Sequence, residues 1–387
     1  MPLFKRLLKT NPMQDDETMS LNLDELAPAF IREVIPYKPG KSIDELKREY
    51  GLETIIKLAS NESPLPPSQK VKVAIEQAAH DVARYPEDAA PVLRERLAKK
   101  DGVKPEQIVI GAGSSENLGM LIRCFVSEGD EVVVSEHAFS VYRIFGKMSG
   151  ASIIQTAAKH YGHDLEAMLA AVTEKTKIVF IANPNNPTGT WLTFNEIQNF
   201  LKEVPENVLV VLDEAYYEYV EDENYQSAIS LLDQHTNLVI TRTFSKAYGL
   251  GSLRVGYSIS SSDLVNYMMR VRYSFNCNSI AVAAALAALE DKDYLEKNLA
   301  NNHQGLIYLK SCFDKLGLEY VPSATNFILV KVGERAMDVF NALLKEGVIV
   351  RPTVADGLAD FLRVSVGLPE ENQLFITKFE KVLKEIL

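Results

Sequence analysis

The sequence predicts an α/β fold with a mostly parallel central sheet of about seven strands sandwiched by helices, plus a smaller α+β domain. Short apolar runs rich in Val and Ile recur through the first two thirds of the chain. Stretches with helical character lie between several of these runs, and the pattern changes near residue 280. Runs this apolar are typical of strands buried on both faces, and their alternation with helices favours a parallel sheet.

The seven predicted strands are QIVI (107–110), EVVV (131–134), SIIQ (152–155), KIVFIA (177–182), NVLVVL (207–212), NLVIT (237–241) and RVGYSI (254–259). The predicted helices between them include SENLGMLIRCFVSEG, DLEAMLAAVTEK, TFNEIQNFLKEV and SAISLLDQH. We expect the crossover connections between parallel strands to be right-handed.

The pattern after residue 280 predicts a second domain. An Ala- and Leu-rich stretch, SIAVAAALAALEDKDYLEKNLANNHQGLIYLKSCFDKLG, has the character of one long helix. Short strands (NFILVKV, VIVRP and FLRVSVG) and two helices (RAMDVFNALLKEG and ENQLFITKFEKVLKEIL) follow it. We therefore expect a flexible N-terminal arm (1–20), a segment that packs on the small domain or a partner subunit (21–60), a large domain (61–280) and a small domain (281–387).

Composition narrows the class of protein. A chain of 387 residues is too long for one ordinary core, and a hydrophobic fraction of 47% is normal for a globular protein. The net charge of -11 argues against nucleic-acid binding, and no apolar run approaches the length of about 20 residues that a membrane span needs. Three widely separated cysteines favour a reducing cytoplasm. The first residues do not resemble a signal peptide.

Metal binding is not expected. His160 and His163 form the only close histidine pair, and this spacing is more typical of a solvated loop than of a metal site. No cysteine spacing suggests a metal site either.

The residues that directly follow the apolar runs are the first candidates for function, because ligands bind beyond the carboxyl ends of strands in open parallel sheets. The first run is followed by GAGSSE (111–116), which includes Gly113, Ser114 and Ser115, and then by an apolar helix. Small residues and the free N–H groups of a helix N-terminus suit a phosphate group. A plain strand-to-helix turn with a Ser N-cap gives the same pattern, and no GK[ST] of a Walker A loop follows.

Two charged residues follow the fifth and sixth apolar runs. Asp213 follows five apolar residues, although a helix N-cap or a loop acid is the commoner explanation for an isolated Asp. Lys246 follows the sixth run within TFSKAYG (243–249), where desolvation and nearby positive charge would lower its pKa. A surface lysine on a loop is the ordinary alternative. Arg254 is the first residue of the next run, where it could bind an anion or simply cap the sheet.

The segment NPNNPTG (183–189) predicts a rigid turn at a strand end, because prolines, glycine and asparagines fix the backbone there. Such a turn can hold an asparagine side chain pointing inward.

Together these groups fit one ligand, pyridoxal phosphate. This cofactor needs an amine for its aldehyde, an acid for its ring nitrogen, donors for its ring hydroxyl and an anion site for its phosphate. Lys246 supplies the amine, Asp213 the acid, and Asn186 with Tyr216 the donors. The anion site is formed by Gly113, Ser114 and Ser115 with Ser245 and Arg254. We expect Asp213 and Lys246 to lie side by side, because about one strand–helix–strand unit separates them.

Seven segments resemble the fold-type I aminotransferases, namely LASNESP, RYPED, HAFSVY, NPNNPTG, LDEAYYEY, TRTFSKAYGLGSLRVGY and LRVSVG. Among these enzymes the chain is most similar to the histidinol-phosphate aminotransferases, on the evidence of IPYKPGKS, LASNESP, RYP and HAFSVY. The resemblance covers nearly everything from about residue 30 onward, and its NPTG and SKAYGLGSLRVG segments are highly specific.

The resemblance implies a role for each matching residue. Lys246 would form the Schiff base and move the proton between the substrate α-carbon and the cofactor. The implied cofactor contacts are Asp213 at the ring nitrogen; Asn186 and Tyr216 at the ring oxygen; Phe139 on the ring; and Ser114, Ser115, Thr243, Ser245 and Arg254 at the phosphate. Tyr85 would reach the phosphate of the neighbouring subunit, which implies a homodimer.

The substrate site implied by the resemblance contains Arg363, together with Arg351, Tyr37 and Asn61. Histidinol phosphate has no carboxylate, whereas glutamate has two. One arginine-rich site would serve the phosphate in one half-reaction and a glutamate carboxylate in the other, because the planar guanidinium matches both anions.

The sequence departs from the usual subfamily pattern at GAGSS, GLGSLRVG and NESPLPPS, which leaves the shape of the substrate entrance open. Four other functions are weighed against the first. An aromatic-amino-acid aminotransferase is the main alternative, because phenyl and imidazole groups fit similar pockets. A pyridoxal-phosphate decarboxylase acting on a phosphorylated amino acid and a cofactor-binding regulator come next. A nicotinamide-dependent dehydrogenase is disfavoured, because no G-x-G-x-x-G follows an early strand.

Overall fold

The computed structural model describes residues 21–36 and 40–386. The predicted N-terminal arm (1–20) therefore lies outside the described residues. The helices are α1 (Leu23–Leu26), α2 (Ala29–Arg32), α3 (Ile43–Tyr50), α4 (Gln69–Ala79), α5 (Pro91–Asp101), α6 (Ser114–Phe125), α7 (Ser140–Met148), α8 (Leu165–Ala170), α9 (Phe194–Glu203), α10 (Ser262–Val271), α11 (Ser279–Leu289), α12 (Lys292–Lys315), α13 (Ala336–Lys345) and α14 (Pro369–Ile386).

The strands are β1 (Ile56–Lys57), β2 (Ile108–Gly111), β3 (Glu131–Ser135), β4 (Ser152–Thr156), β5 (Ala158–Lys159), β6 (Gly162–His163), β7 (Thr176–Ala182), β8 (Leu209–Asp213), β9 (Leu238–Thr243), β10 (Gly256–Ile259), β11 (Tyr320–Val321), β12 (Phe327–Lys331), β13 (Val348–Ile349), β14 (Arg351–Thr353) and β15 (Leu358–Ser365).

A seven-stranded sheet with the order β2-β10-β9-β8-β7-β3-β4 forms the centre of the larger part. Each of its strands corresponds to one of the predicted apolar runs, so the predicted fold class is confirmed. Strand β10 is antiparallel to both β9 and β2, and the other pairs are parallel. The connection from β9 to β10 contains only a 3₁₀ turn, so the chain reverses there instead of making the helical crossover that a parallel neighbour requires.

Successive residues of the central strands point to opposite faces of this sheet. In β7, Val179 and Ile181 belong to one apolar cluster, whereas Ile178 and Phe180 belong to another. Buried residues of α4, α5, α8, α9 and α11 complete the first cluster, and those of α6, α7 and α10 complete the second. Both faces of the sheet are therefore covered by helices, as the continuous apolar runs predict.

Two of the predicted helices differ from those observed. The segment SAISLLDQH contains only a 3₁₀ turn over residues 228–231. The predicted long helix divides into α11 and α12, because Asp291 acts as an N-cap and accepts a hydrogen bond from the Tyr294 N–H. A side-chain cap of this kind starts a new helix by satisfying one of its free N–H groups.

The smaller part is built on the four-stranded antiparallel sheet β11-β12-β15-β14, which packs with α12, α13 and α14 in a third apolar cluster. The N-terminal segment joins it, because β1 pairs with β13 and Leu46 of α3 packs on Leu344 and Ile349. The buried alanines of α11 pack in the cluster of the larger sheet, although residues from 281 onward were assigned to the small domain. The predicted domain boundaries stay predictions.

A buried ion network fixes the ends of α5, β8 and β9. Arg242 is 3% exposed and donates to Glu214 Oε2 at 2.8 Å and to Asp101 Oδ1 at 2.8 Å. Its guanidinium also lies 3.9 Å from the centroid of the Tyr217 ring. Because Glu214 directly follows the last residue of β8, this network holds the carboxyl edge of the sheet in place.

We predict that Arg242→Met lowers the free energy of unfolding by about 3–5 kcal/mol, because it leaves the buried Glu214 carboxylate without its positively charged partner. Urea denaturation measures this loss. Arg335→Met is the matched control: it removes an arginine from an exposed pair with Asp338 and should cost less than about 1 kcal/mol. Equal losses in the two variants would show that the buried network stabilises the fold no more than the exposed pair does.

Candidate active site

A cavity of about 190 Å³ lies beyond the carboxyl ends of β7, β8 and β9. It is lined by thirteen of the residues that the sequence analysis selected: Asn61, Ser114, Ser115, Phe139, Asn186, Asp213, Tyr216, Thr243, Ser245, Lys246, Arg254, Arg351 and Arg363. A larger cavity of about 810 Å³ contains none of them. The smaller cavity is the candidate active site, because the predicted amine, carboxylate, hydroxyl and guanidinium side chains all line it.

The Lys246 amine lies inside this cavity. Its Nζ donates to the Ser60 carbonyl at 3.2 Å and lies 5.7 Å from the centroid of the Tyr216 ring. Burial, with the positive charge of Arg363 as the next cause, lowers the pKa of Lys246 to about 8. A substantial fraction of this amine is therefore neutral near pH 8, which a nucleophile or a general base requires.

The Asp213 carboxylate ends β8 and is buried. It accepts hydrogen bonds from the Tyr142 hydroxyl at 2.8 Å and from the Thr241 hydroxyl at 3.0 Å. Burial raises the pKa of Asp213, and these two hydrogen bonds act in the opposite direction because they favour the charged form. Two donors thus hold the carboxylate in a fixed orientation at the cavity wall.

Tyr142 and Thr241 were not among the predicted site residues. Tyr142 lies in the HAFSVY segment, and its ring stacks on Phe180 with centroids 4.7 Å apart. Thr241 is the register partner of Asp213 on the neighbouring parallel strand. That register was the available signal for Thr241, whereas the contact of Tyr142 depends on how α7 packs on the sheet.

The N-terminus of α6 forms another wall of the cavity. Gly113 precedes the helix with φ 80°, and a Cβ at this position would lie 2.5 Å from Arg254 Nη2. Glycine is therefore required for the close approach of Arg254 as well as for the backbone conformation. Ser114, Ser115 and the free N–H groups of the helix face the cavity beside Arg254, an arrangement that suits a phosphate group.

Asn61 and Tyr216 both line the cavity and are joined by a hydrogen bond. Asn61 is buried, and its side-chain amide donates to the Tyr216 hydroxyl at 2.9 Å. The Ser365 hydroxyl donates to Asn61 Oδ1 at 2.9 Å, which fixes the orientation of the amide. The structure thus gives Asn61 a contact with a predicted cofactor-binding residue, while its predicted role in substrate binding stays a prediction.

Two arginines stand opposite each other on neighbouring strands. Arg351 of β14 and Arg363 of β15 are register partners, and both line the cavity. Arg363 donates to the Ala59 carbonyl at 2.7 Å and to Asn186 Oδ1. Like charges directly opposite each other destabilise a sheet, so their convergence on a cavity indicates a site for an anion.

Two of the predicted residues in the described part of the chain do not line the cavity. Gly113 instead lies close to the guanidinium of Arg254. Tyr85 is 81% exposed and stacks on Phe275, with ring centroids 4.7 Å apart. Tyr37 lies outside the described residues.

Comparison with known proteins identifies relatives of the whole chain. The family model "Aminotransferase class I and II" matches residues 53–378. The chain is 46% identical over 361 residues to histidinol-phosphate aminotransferase 1 of Idiomarina loihiensis, covering 93% of this chain and 98% of the relative. It is 48% identical over 360 residues to histidinol-phosphate aminotransferase 2 of Pseudomonas aeruginosa, covering 92% and 98%.

Solved structures agree with this result. The histidinol-phosphate aminotransferase of Sinorhizobium meliloti, solved in complex with pyridoxal-5'-phosphate, superimposes with a TM-score of 0.86 at 32% identity and covers 93% of this chain and 98% of that one. An L-threonine-O-3-phosphate decarboxylase of Porphyromonas gingivalis has a TM-score of 0.74 at 22% identity, covering 85% and 100%, which shows a shared fold alone.

We predict that Lys246 reacts with an acylating reagent with a midpoint near pH 8, because the amine becomes neutral as the pH rises through its lowered pKa. Competitive labelling of protein stripped of any bound cofactor, followed by mass spectrometry of the peptide, measures the midpoint. Lys246→Arg is the control for labelling elsewhere in the peptide. A midpoint near the ordinary lysine pKa of 10.5 would contradict the desolvated environment.

Proposed function

The chain belongs to the class I and II aminotransferase family, and we propose that it exchanges an amino group between L-histidinol phosphate and 2-oxoglutarate in histidine biosynthesis. One observation carries the reaction type: Lys246, Asp213 and the N-terminus of α6 converge on a single cavity with two arginines at its wall. The choice of substrate is supported by the names of the relatives, which match over nearly the entire chain.

The cavity fits pyridoxal phosphate. Lys246 would hold the cofactor through its aldehyde carbon, and the buried Asp213 would pair with the ring nitrogen. The ring oxygen would face Asn186 and Tyr216, and the ring would lie against Phe139. The proposed phosphate ligands are Ser114, Ser115, Thr243, Ser245 and Arg254, with Gly113 allowing the close approach of the Arg254 side chain.

When bound, this cofactor supplies an electron-withdrawing ring that stabilises negative charge at the substrate α-carbon. The protein's own residues supply the proton transfer. A lowered pKa suits Lys246 to accept a proton from the substrate α-carbon and to return one. Tyr142 is a positioning residue, because its hydroxyl holds the Asp213 carboxylate in place.

The arginine pair would serve both substrates. Arg363 and Arg351 would bind the phosphate of histidinol phosphate in one half-reaction and a carboxylate of glutamate in the other. A guanidinium fork matches both anions with two parallel hydrogen bonds. Tyr37, which was predicted for the same pocket, stays a prediction.

The proposed assembly is a cytoplasmic homodimer with shared active sites. An aromatic side chain as exposed as Tyr85, stacked on Phe275, suits a surface that a second subunit covers. The free thiols of Cys124, Cys277 and Cys312 suit a reducing compartment. None of the helices in the described part of the chain has the length and apolar character needed to cross a membrane.

We predict that kcat/KM with 2-oxoglutarate as acceptor is at least about tenfold higher for histidinol phosphate than for phenylalanine. The dianionic phosphate engages both arginines, and an additional charged hydrogen bond contributes about 1.5–3 kcal/mol. Steady-state rates with each donor test this, with Lys246→Ala as the background control. A preference for phenylalanine would support the aromatic aminotransferase, and release of carbon dioxide would support the decarboxylase.

We predict that Arg363→Ala lowers kcat/KM of both half-reactions by about 10- to 100-fold, because each half-reaction loses a charged hydrogen bond to its anion. Single-turnover experiments that follow cofactor absorbance measure the half-reactions separately. Arg335→Ala, which removes an exposed arginine that lines neither cavity, is the matched control. A loss confined to one half-reaction would refute the shared anion site.

A further inference from the structure

The cavity of about 810 Å³ is separate from the active site, and no step of the proposed reaction uses it. It is formed by the β5–β6 hairpin, α8 and α9 on one side and by β11 and β15 on the other. We call it the α8–α9 groove. Its volume is in the range that binding pockets have.

The base of the α8–α9 groove is apolar and aromatic. Leu169, Trp191, Phe200, Val321 and Phe361 contribute to its lining. The last two belong to the smaller part of the protein, whereas the others belong to or lie beside the helices that cover the larger sheet. An apolar partner in the groove would therefore contact both parts.

The edges of the groove are acidic. Glu166 and Glu203 are exposed, and their side chains have no hydrogen bond or ion pair within the part of the chain that the structure describes. Asp164, Glu196 and Glu319 also line the groove, against a single lysine, Lys159. The groove therefore favours an occupant that is both apolar and cationic.

The first nine residues, MPLFKRLLK, have this chemistry and lie outside the described residues. Phe4, Leu7 and Leu8 follow the i, i+3, i+4 spacing with which a helix presents apolar anchors to a groove. The twelve residues from Thr10 to Leu21 can span up to about 40 Å, which is comparable with the dimensions of a domain. The tether is thus long enough to reach over much of the surface.

Three positive charges accompany these apolar residues: Lys5, Arg6 and Lys9. This local excess contrasts with the net charge of -11 for the whole chain. We propose that residues 2–9 of this polypeptide occupy the α8–α9 groove, with their apolar side chains on its base and their positive charges at Glu166 and Glu203.

Strand β15 connects the proposed contact with the active site, because it contributes a residue to each cavity. Phe361 lines the groove, and Arg363 lines the active-site cavity two residues further along the same strand. A segment bound across the groove would join the helices of the larger sheet to this strand.

Trp191 makes the proposal testable, because it lines the groove and is the chain's only tryptophan. Deletion of residues 1–20 from the cofactor-bound enzyme should shift the Trp191 emission to longer wavelength and increase its quenching by acrylamide. A synthetic peptide of residues 1–12, added to the deletion variant, should reverse both changes in a saturable manner. Unchanged emission and quenching after the deletion would overturn the proposal.

A charge exchange tests the partners directly. Glu166→Lys with Glu203→Lys should reproduce the effect of the deletion on Trp191 quenching, and added Lys5→Glu with Lys9→Glu should restore the original quenching. Glu76→Lys with Glu296→Lys is the matched control, because these exposed acids line neither cavity. Circular dichroism checks that every variant is folded. Failure of the combined variant to restore quenching, with folding intact, would refute the charge pairing.

Discussion

The buried carboxylate of Asp213 is the constraint on which the surrounding arrangement depends. Burial raises its pKa, so the charged form persists only where donors compensate for the lost water. The Tyr142 hydroxyl reaches Asp213 from α7, and the Thr241 hydroxyl reaches it from β9. A positively charged ring nitrogen, as proposed for the cofactor, would complete this compensation. Helix α7 therefore contributes to the site through one hydrogen bond.

Much of the fold and of the site could be predicted because both depend on local sequence. Each of the seven apolar runs became a strand of the central sheet, since such runs have few alternatives to burial on both faces. Asp213 and Lys246 were selected because each closely follows one of these runs, and strand ends converge at one edge of a parallel sheet. The family resemblance added Phe139, Arg351 and Arg363, which a spacing argument alone would not have selected.

The remaining features depend on packing that no local pattern encodes. The direction of β10 follows from the short connection after β9, and the division between α11 and α12 follows from the cap at Asp291. Tyr142 looks like an ordinary core aromatic, because it is fully buried and stacks on Phe180. Only the position of α7 on the sheet brings its hydroxyl to a carboxylate. Residues whose function lies in one atom of an otherwise apolar side chain are therefore the hardest to predict.

Asp213 provides a negative charge for the cofactor, whereas the proposed substrate side of the cavity needs positive charge. A site that binds a phosphate in one half-reaction and a carboxylate in the other, as proposed, must hold its arginines in a fixed orientation. Two hydrogen bonds orient Arg363, because its guanidinium donates to the Ala59 carbonyl and to the Asn186 amide oxygen. Asp356 also lines this cavity, and the positive charges of Arg363 and Arg351 act against the rise that burial causes in its pKa. The two hydrogen bonds hold the Arg363 guanidinium in position, so the same geometry can serve both proposed anions.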